Sequence, residues 1–166
     1  MLLTIYTGCA KGMDTHAEHL CHKYCHQCVV LITPCHPGAW SITPISWAAL
    51  DATTPSVTQV AFRLGRSVSN PITLQYLQRN YHVVKDASFV LALGYFDDVH
   101  KHVLGDTGWS MAWAQILCKP LYVFDLDMEQ WYWWNPTLQN YLPCGGMTEL
   151  QVCLPKLQDK TAIVGT

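Results

Sequence analysis

Charged residues are scarce in this sequence, and those present form no run of one sign. Asp, Glu, Lys and Arg make up 13% of the 166 residues, and the formal net charge is −2. Wide contact with a nucleic-acid backbone needs a patch or stripe of Lys and Arg side chains. We therefore expect no nucleic-acid partner.

Long apolar segments are absent as well. No apolar run in the sequence reaches the ~18 residues of a membrane-spanning helix, so we expect no membrane partner. The first residues carry no basic segment, and their apolar run is too short for a signal peptide. These absences favour a cytoplasmic location.

The sequence does contain many residues that form a hydrophobic core. Half of the 166 residues are hydrophobic, and a chain of this length buries roughly 70% of its extended surface on folding. We expect one domain spanning residues 1–166. The eight cysteines are expected to be free thiols, because a cytoplasmic domain of this size needs no disulfides.

Short apolar runs alternate with segments of helical spacing. Continuous apolar runs are typical of strands buried in a parallel sheet, and strand–helix alternation indicates an α/β fold. We predict a three-layer sandwich with a mostly parallel central sheet. The predicted strands are Leu2–Tyr6, Val29–Thr33, Ser88–Leu93, Pro120–Asp125 and Thr161–Val164. The predicted helices are Met13–His26, Pro44–Asp51, Pro55–Leu64, Ile72–Tyr81 and Gly108–Leu117, and Glu129–Met147 is expected to be irregular.

The segment Thr7–Asp14 joins the first predicted strand to the first predicted helix through a glycine-rich turn. Glycine lets the backbone approach a ligand closely, and the free N–H groups of a first helical turn attract a phosphate. Asp14 either caps the helix or meets a ribose hydroxyl. A turn without a ligand is the alternative, because the full dinucleotide fingerprint is missing.

A second glycine-rich segment, Leu104–Ser110, also leads into a predicted helix. In an open parallel sheet, two such turns meet where the strand order reverses, and ligands bind in that crevice. Thr107 and Ser110 offer hydroxyl groups to a phosphate or a ribose. Asp106 either meets a ribose hydroxyl or caps the helix. The pair of turns therefore predicts an anion-binding site.

Arg79 and Asn80 lie at the end of the helix predicted over Ile72–Tyr81. Arginine forms bidentate hydrogen bonds with phosphate, which makes Arg79 a candidate phosphate ligand. The alternative is that Arg79 binds the last carbonyl groups of its own helix.

Cysteine and histidine are concentrated between residues 16 and 36, as in some zinc sites. Helical spacing, however, places Cys21 and Cys25 on the apolar face with Ala17 and Leu20, and most of the histidines on another face. We therefore predict packed thiols rather than a metal site, and we predict no cofactor.

The run Trp131-Tyr132-Trp133-Trp134 cannot stay wholly in water, because each ring buries a large apolar area. Some of these rings are expected to cover the edge of the core. The others are expected to stack on a base, form a lid or contact a second copy. We predict a homodimer, since an exposed aromatic patch needs a partner.

Three blocks of the sequence resemble the SLOG superfamily of Rossmann-like proteins. Thr7–Asp14 is similar to its turn S/T-G-G-A-x-G-A-D, and Arg79–Gly94 resembles the block R-N-W-x-x-V-x-x-A-D-x-V-x-A-x-G of small phage-type members. Gly105–Ser110 and Lys119–Asp125 resemble the block that includes K-P-V-Y-V-F-D. The superfamily includes LOG phosphoribohydrolases, the DNA-processing protein fold and molybdenum-cofactor carriers.

The resemblance implies a Rossmann-like fold and a bound nucleotide or nucleotide-derived ligand, such as an ADP-ribose-like molecule or a nucleoside phosphate. It implies that the two turns hold the ligand, that Arg79 and Asn80 close the pocket, and that Gly94 ends its strand beside the ligand. With the polar residues considered above, the candidate ligand-binding residues are Gly8, Cys9, Ala10, Lys11, Gly12, Asp14, Arg79, Asn80, Gly94, Gly105, Asp106, Thr107, Gly108 and Ser110.

The sequence departs from the LOG enzymes at the position of a catalytic glutamate. Their motif P-G-G-x-G-T-x-x-E supplies a carboxylate that takes part in cleaving an N-glycosidic bond, and the matching position here is Ala112. We therefore predict ligand binding as the function and assign no catalytic residue. A LOG-like hydrolase or transferase is one alternative, and a metal-binding or interaction protein is another.

Overall fold

The computed structural model describes residues 4–8, 13–24, 27–32, 42–97, 102–146 and 160–165. The helices in these ranges are α1 Met13–Lys23, α2 Trp47–Asp51, α3 Thr54–Arg63, α4 Pro71–Lys85 and α5 Gly105–Ile116. The strands are β1 Thr4–Thr7, β2 Gln27–Ile32, β3 Ile42–Pro44, β4 Phe89–Gly94, β5 Phe96–Asp97, β6 His102–Val103, β7 Leu121–Asp125, β8 Gln130–Asn135, β9 Asn140–Gly146 and β10 Lys160–Gly165.

The fold is a Rossmann-like α/β three-layer sandwich, as predicted. The main sheet has the order β3-β2-β1-β10-β4-β7-β8-β9. The first six strands in this order are parallel, and β8 and β9 are antiparallel. Strands β2 and β3 are added in turn on one side of β1, and β4 is then added on the other side of β1. The strand order therefore reverses between β1 and β4, where β10 lies.

The main hydrophobic core lies between the sheet and helices α2 to α5. Val90 and Val123 of the sheet belong to the same buried cluster as Leu77 of α4 and Trp113 of α5. Helix α1 contacts β1, β2 and β10 and buries Ala17 outside that cluster. It therefore covers the opposite face of the sheet, as the strand–helix alternation predicts.

Residues 129–147 were expected to be irregular, and the structure shows that this is wrong. Strands β8 and β9 form an antiparallel hairpin that extends the sheet beyond β7. Trp131 is buried against Phe124, and Tyr132 stacks on Phe96 with ring centroids 5.5 Å apart. Tryptophan and tyrosine favour strands, so the aromatic run is itself a strand signal.

Helix α4 is longer than the sequence indicates, and this changes the surroundings of Arg79. The helix begins at Pro71 after the cap residue Asn70 and ends at Lys85, so Arg79 lies inside it. Lys119 Nζ donates hydrogen bonds to the carbonyl oxygens of Lys85 and Ala87 at the end of α4. The role of binding the last helical carbonyls therefore belongs to Lys119 and not to Arg79.

The first part of the cysteine- and histidine-rich segment belongs to helix α1. Cys21 is buried, whereas His16, His19 and His22 are exposed. Within the described ranges there is no group of three or more His, Cys, Asp or Glu side chains that could hold a metal. None of the described helices combines the length and the apolar character that crossing a membrane requires.

Candidate functional site

A cavity of about 410 Å³ lies at the carboxyl ends of β1 and β10, between α4 and the start of α5. We call it the Arg79 cavity. This is the place where the strand order reverses, which is where open α/β sheets bind ligands. Its lining residues are Gly8, Asp14, Arg79, Asn80, Val83, Gly105, Asp106, Thr107, Ser110, Val164 and Gly165.

Arg79 is a buried cation in the wall of this cavity. It is only 7% exposed, and its Nε and Nη2 atoms donate to Asn80 Oδ1 at 3.2 and 2.8 Å. The guanidinium carbon lies 5.5 Å from the centroid of the Tyr76 ring. Among the described residues, no carboxylate forms an ion pair with Arg79. The Asp14 carboxylate lies nearby, since Asp14 Oδ2 and Arg79 Cζ both lie within 2.7 Å of the point that a Cβ atom at Gly8 would occupy. A buried guanidinium that no described carboxylate pairs with directly is costly, so this position is suited to an anion.

The first turn of α5 adds partial positive charge to the same cavity. Leu104 is the cap residue of α5, and it forms no side-chain hydrogen bond to the helix. The N–H groups of the first turn are therefore not satisfied by a capping side chain, and such groups bind phosphate well. Gly105 has a φ of 69°, a left-handed conformation that favours glycine at this position.

A buried hydroxyl group lies in the cavity wall. Ser110 is 1% exposed, and its Oγ atom has no hydrogen-bond partner among the described residues. An unsatisfied buried hydroxyl costs free energy, which a polar ligand in the cavity would recover. Thr107, one helical turn earlier, is also buried and lines the same wall.

Two carboxylates lie at the cavity as well. Asp14 is 8% exposed, and its Oδ1 accepts a hydrogen bond from Thr7 Oγ1 at 2.8 Å. Asp106 is exposed in the first turn of α5. Carboxylates repel phosphate but accept hydrogen bonds from hydroxyl groups. The cavity thus combines groups for an anion with groups for a sugar.

Gly8 allows Asp14 and Arg79 to approach the end of β1. A Cβ atom at position 8 would lie 2.6 Å from Asp14 Oδ2 and 2.7 Å from Arg79 Cζ. Both distances are far below van der Waals contact. A larger residue would therefore push these charged side chains away from their present positions.

The structure brings together eight of the fourteen candidate residues: Gly8, Asp14, Arg79, Asn80, Gly105, Asp106, Thr107 and Ser110. Cys9, Ala10, Lys11 and Gly12 lie outside the described residues. Gly94 ends β4 as expected, but it does not line this cavity, and its carbonyl oxygen accepts a hydrogen bond from Leu126.

Gly108 also lies away from the Arg79 cavity. The helix predicted to begin at Gly108 begins three residues earlier, at Gly105, so part of the predicted turn is helical. The helix directs Thr107 and Ser110 to the Arg79 cavity and Gly108 to the other side. There a Cβ atom would overlap the carbonyl oxygen of Val103, so Gly108 permits close packing of α5 on β6.

Strand β10 contributes to the cavity in a way that the sequence does not indicate. Val164 and Gly165 line the cavity although they are far from the other lining residues in sequence. The apolar run near the end of the chain indicates a strand, but nothing in it reveals a place between β1 and β4. Thr7, which holds Asp14 by a hydrogen bond, was not singled out either.

A second cavity, of about 280 Å³, lies on the other side of α5. We call it the Arg63 cavity, after the residue at the end of α3. Ala112, which matches the glutamate of LOG enzymes, lines this second cavity and not the Arg79 cavity. Ser110, two residues earlier on α5, lines the Arg79 cavity instead.

No family model matches the sequence, and no curated protein matches it. The geometry defines the class of protein as an α/β chain with a Rossmann-like fold and a cavity at the reversal of strand order. A solved structure with this fold is that of a "Putative molybdenum carrier protein" from Syntrophus aciditrophicus SB. The match has a TM-score of 0.59 at 15% identity, and it covers 99% of this chain and 82% of the other. The likeness shows the fold, and at that level it agrees with the SLOG resemblance.

Proposed function

We propose that this chain binds a nucleotide or a nucleotide-derived ligand in the Arg79 cavity. Arg79 and the first turn of α5 contact a phosphate group, and Ser110 donates a hydrogen bond to the same ligand. Asp14 and Asp106 accept hydrogen bonds from sugar hydroxyls. The support comes from the described lining, which offers anion-binding and hydroxyl-binding groups side by side.

The observation that carries this proposal is the burial of Arg79 without an ion pair to a described carboxylate. Its neighbour Asn80 supplies only a neutral oxygen. A ligand phosphate would give the buried guanidinium the direct ion pair that Asp14 and Asp106 of the described lining do not form. The cavity volume, about 410 Å³, lies within the range of small-molecule sites.

Calorimetric titration of the full chain tests the proposal. The ligands are AMP, ADP-ribose, NAD and cyclic dinucleotides, and we expect at least one to bind with a Kd in the micromolar range. Absence of binding for all of them at about 1 mM, equivalent to a binding free energy weaker than roughly −4 kcal/mol, would refute the proposal.

The substitution Ser110→Ala should weaken ligand binding without lowering the free energy of unfolding. Removal of an unsatisfied buried hydroxyl should leave the free energy of unfolding unchanged or raise it by up to about 1 kcal/mol. Loss of the hydrogen bond to the ligand should lower affinity about 5- to 10-fold. A parallel loss of stability and affinity would indicate a purely structural role for Ser110.

Cleavage of a glycosidic bond is a second candidate function, and the two carboxylates in the cavity support it. An oxocarbenium-like transition state needs a nearby negative charge. The discriminating measurement is chromatography of nucleoside monophosphates after incubation with the chain. Release of free base supports hydrolysis, whereas unchanged nucleotide supports binding alone.

The structural neighbour suggests another ligand class. Its name describes a molybdenum carrier, so we propose that metal analysis of protein purified without a histidine tag accompany the titrations. Molybdenum at a stoichiometric level would favour a molybdenum-containing ligand over an ordinary nucleotide.

We further propose that the chain is a small phage-type SLOG protein that acts in the cytoplasm as a homodimer. The sequence blocks support the membership. Trp133 and Trp134 of the aromatic run are only half-buried and support association, because adjacent apolar rings at the surface favour a partner. Light scattering coupled to size exclusion tests the dimer, and a monomeric mass at all concentrations would exclude it.

A further inference from the structure

The Arg63 cavity differs in chemistry from the Arg79 cavity. Leu64, Met111 and Ala112 form an apolar floor, and Trp134 contributes an aromatic wall. Arg63 and His102 are the basic residues of the described lining, which includes no carboxylate. The described part of this cavity is therefore apolar at its base and basic at its rim.

The Arg63 side chain is fixed in place by a chain of hydrogen bonds. Its Nη2 atom donates to Gln115 Oε1 at 2.8 Å, and Gln115 Nε2 donates to Tyr141 Oη at 2.8 Å. Because a guanidinium can only donate, Gln115 turns its oxygen to Arg63 and its NH2 group to Tyr141, which fixes the direction of the chain of bonds. A cation held in this way loses little side-chain entropy when it binds a ligand.

Arg63 retains donors for a ligand after this bond is made. A guanidinium carries five N–H groups, and among the described residues only Gln115 accepts from Arg63. The remaining N–H groups form a planar fork that matches a carboxylate. Trp134 itself is held against Tyr141, with ring centroids 5.0 Å apart, and offers a fixed aromatic surface.

We propose that the Arg63 cavity is a second binding site, which takes a small planar aromatic carboxylate. The carboxylate pairs with the Arg63 guanidinium, and the ring lies over Leu64, Met111 and Ala112 against Trp134. The volume of about 280 Å³ lies just below that of pockets for drug-sized ligands, roughly 300–1,000 Å³, and so suits a smaller molecule of one or two fused rings.

Calorimetry and saturation-transfer NMR on the full chain test this site. The probes are benzoate and indole-3-carboxylate, with indole-3-carboxamide as the uncharged match. We expect the carboxylates to bind with a submillimolar Kd and the carboxamide about 10-fold more weakly, because the charged hydrogen bond is lost.

Arg63→Gln and Arg66→Gln form a matched pair of variants. Both remove one exposed or half-buried arginine charge, but Arg66 donates to the Gly105 carbonyl oxygen and does not line the Arg63 cavity. Arg63→Gln should lower carboxylate affinity about 10-fold or more, and Arg66→Gln should leave it nearly unchanged.

Three results would overturn the proposal. The first is the absence of carboxylate binding at about 10 mM. The second is an equal loss of carboxylate affinity in Arg63→Gln and Arg66→Gln. The third is equal affinity for indole-3-carboxylate and indole-3-carboxamide. Arg63→Gln changes an exposed side chain, so its fold can be verified by circular dichroism. The Arg79 cavity is untouched by this variant, so the outcome is independent of nucleotide binding.

Discussion

Two arginines on neighbouring helices face two cavities on opposite sides of α5, and they are held in different ways. Arg79 lies within α4, where it is 7% exposed and bonded to Asn80. Arg63 is the last residue of α3, is exposed, and is bonded to Gln115. Burial makes the charge of Arg79 costly without an anion, whereas water can solvate Arg63. The interior arginine is therefore the stronger indicator of a ligand.

The two cavities also differ in their negative charge. Asp14 and Asp106 line the Arg79 cavity, but the described lining of the Arg63 cavity has no carboxylate. Carboxylates beside a guanidinium oppose a purely anionic ligand and favour one that also carries hydroxyl groups. A phosphate joined to a sugar fits the first cavity, and a simple carboxylate fits the second.

The largest expected effect is that of Arg79→Gln on nucleotide binding. Loss of a buried charged pair with phosphate should lower the affinity about 100-fold, as measured by calorimetry. Arg79→Lys keeps the charge but loses the planar pair of N–H donors, so it should lower nucleotide affinity about 10-fold. Arg63→Gln should bind nucleotide as the unmodified chain does. If Arg79→Gln and Arg63→Gln lowered nucleotide affinity equally, Arg79 would not be the arginine that binds the nucleotide.

The next effect is that of Gly8→Ala, which tests the packing around Arg79. The added Cβ would lie 2.7 Å from Arg79 Cζ and 2.6 Å from Asp14 Oδ2. Because both neighbours are side-chain ends, they should shift rather than unfold the chain, and nucleotide affinity should fall about 10-fold.

Gly65→Ala is the control for Gly8→Ala. Gly65 has a φ of 62° and no neighbour within 4 Å of an added Cβ. Its substitution should lower the free energy of unfolding by about 1 kcal/mol through backbone strain and leave affinity unchanged. A loss of affinity in Gly65→Ala equal to that in Gly8→Ala would show that affinity follows stability and not the position of Arg79.

The sequence predicted the elements around the Arg79 cavity better than their assembly. Apolar runs correctly indicated β1, β4, β7 and β10, because a strand buried on both faces has a local signature. The position of β10 between β1 and β4 depends on pairing between distant segments, which no local pattern encodes. Gly108 shows a related limit, since a glycine pattern does not tell a turn from the first turn of a helix.

The Arg63 cavity was harder still to predict. Arg63, Gln115 and Trp134 belong to three separate elements, α3, α5 and β8. Trp134 belongs to a segment that was expected to be irregular, and Arg63 and Gln115 have no motif around them. A cavity formed by packing of separate elements has no signature along the chain, whereas a strand–turn–helix site has one.

A smaller effect is expected from the helix caps, which differ between the two arginine-bearing helices. Asn70 Oδ1 accepts hydrogen bonds from the N–H groups of Ile72 at 2.8 Å and Thr73 at 3.4 Å, at the start of α4. Thr53 makes no such bond at the start of α3. Asn70→Ala should lower the free energy of unfolding by about 1 kcal/mol, as measured by urea unfolding.

Thr58→Ala on α3 is a suitable comparison for Asn70→Ala. Its hydroxyl donates to the Thr54 carbonyl oxygen within an exposed part of the helix. The free energy of unfolding should therefore change by no more than about 0.5 kcal/mol. A loss in Thr58→Ala as large as that in Asn70→Ala would mean that the cap gives α4 no special stability.

The smallest expected effect is the pH dependence that His82 gives to α4. His82 is 8% exposed, and its Nε2 atom lies 3.3 Å from the carbonyl oxygen of Ala49. Burial, and then the positive charge of Lys85, lower the pKa of His82 below its ordinary value of 6.5. In the unfolded chain His82 therefore takes up a proton at a higher pH than in the folded chain. Its contribution to stability is complete above about pH 6.5 and decreases as the pH falls towards the lower, folded-state pKa.

His82→Gln removes this titration but keeps a side-chain N–H group for Ala49. The free energy of unfolding should therefore fall less between about pH 7.5 and about pH 5.5 in the variant than in the unmodified chain. His16→Gln, which changes an exposed histidine of α1, is the matched control for the substitution. If His82→Gln instead had the steeper profile, protonated His82 would stabilise the fold, and burial would not be the dominant influence on the pKa of His82.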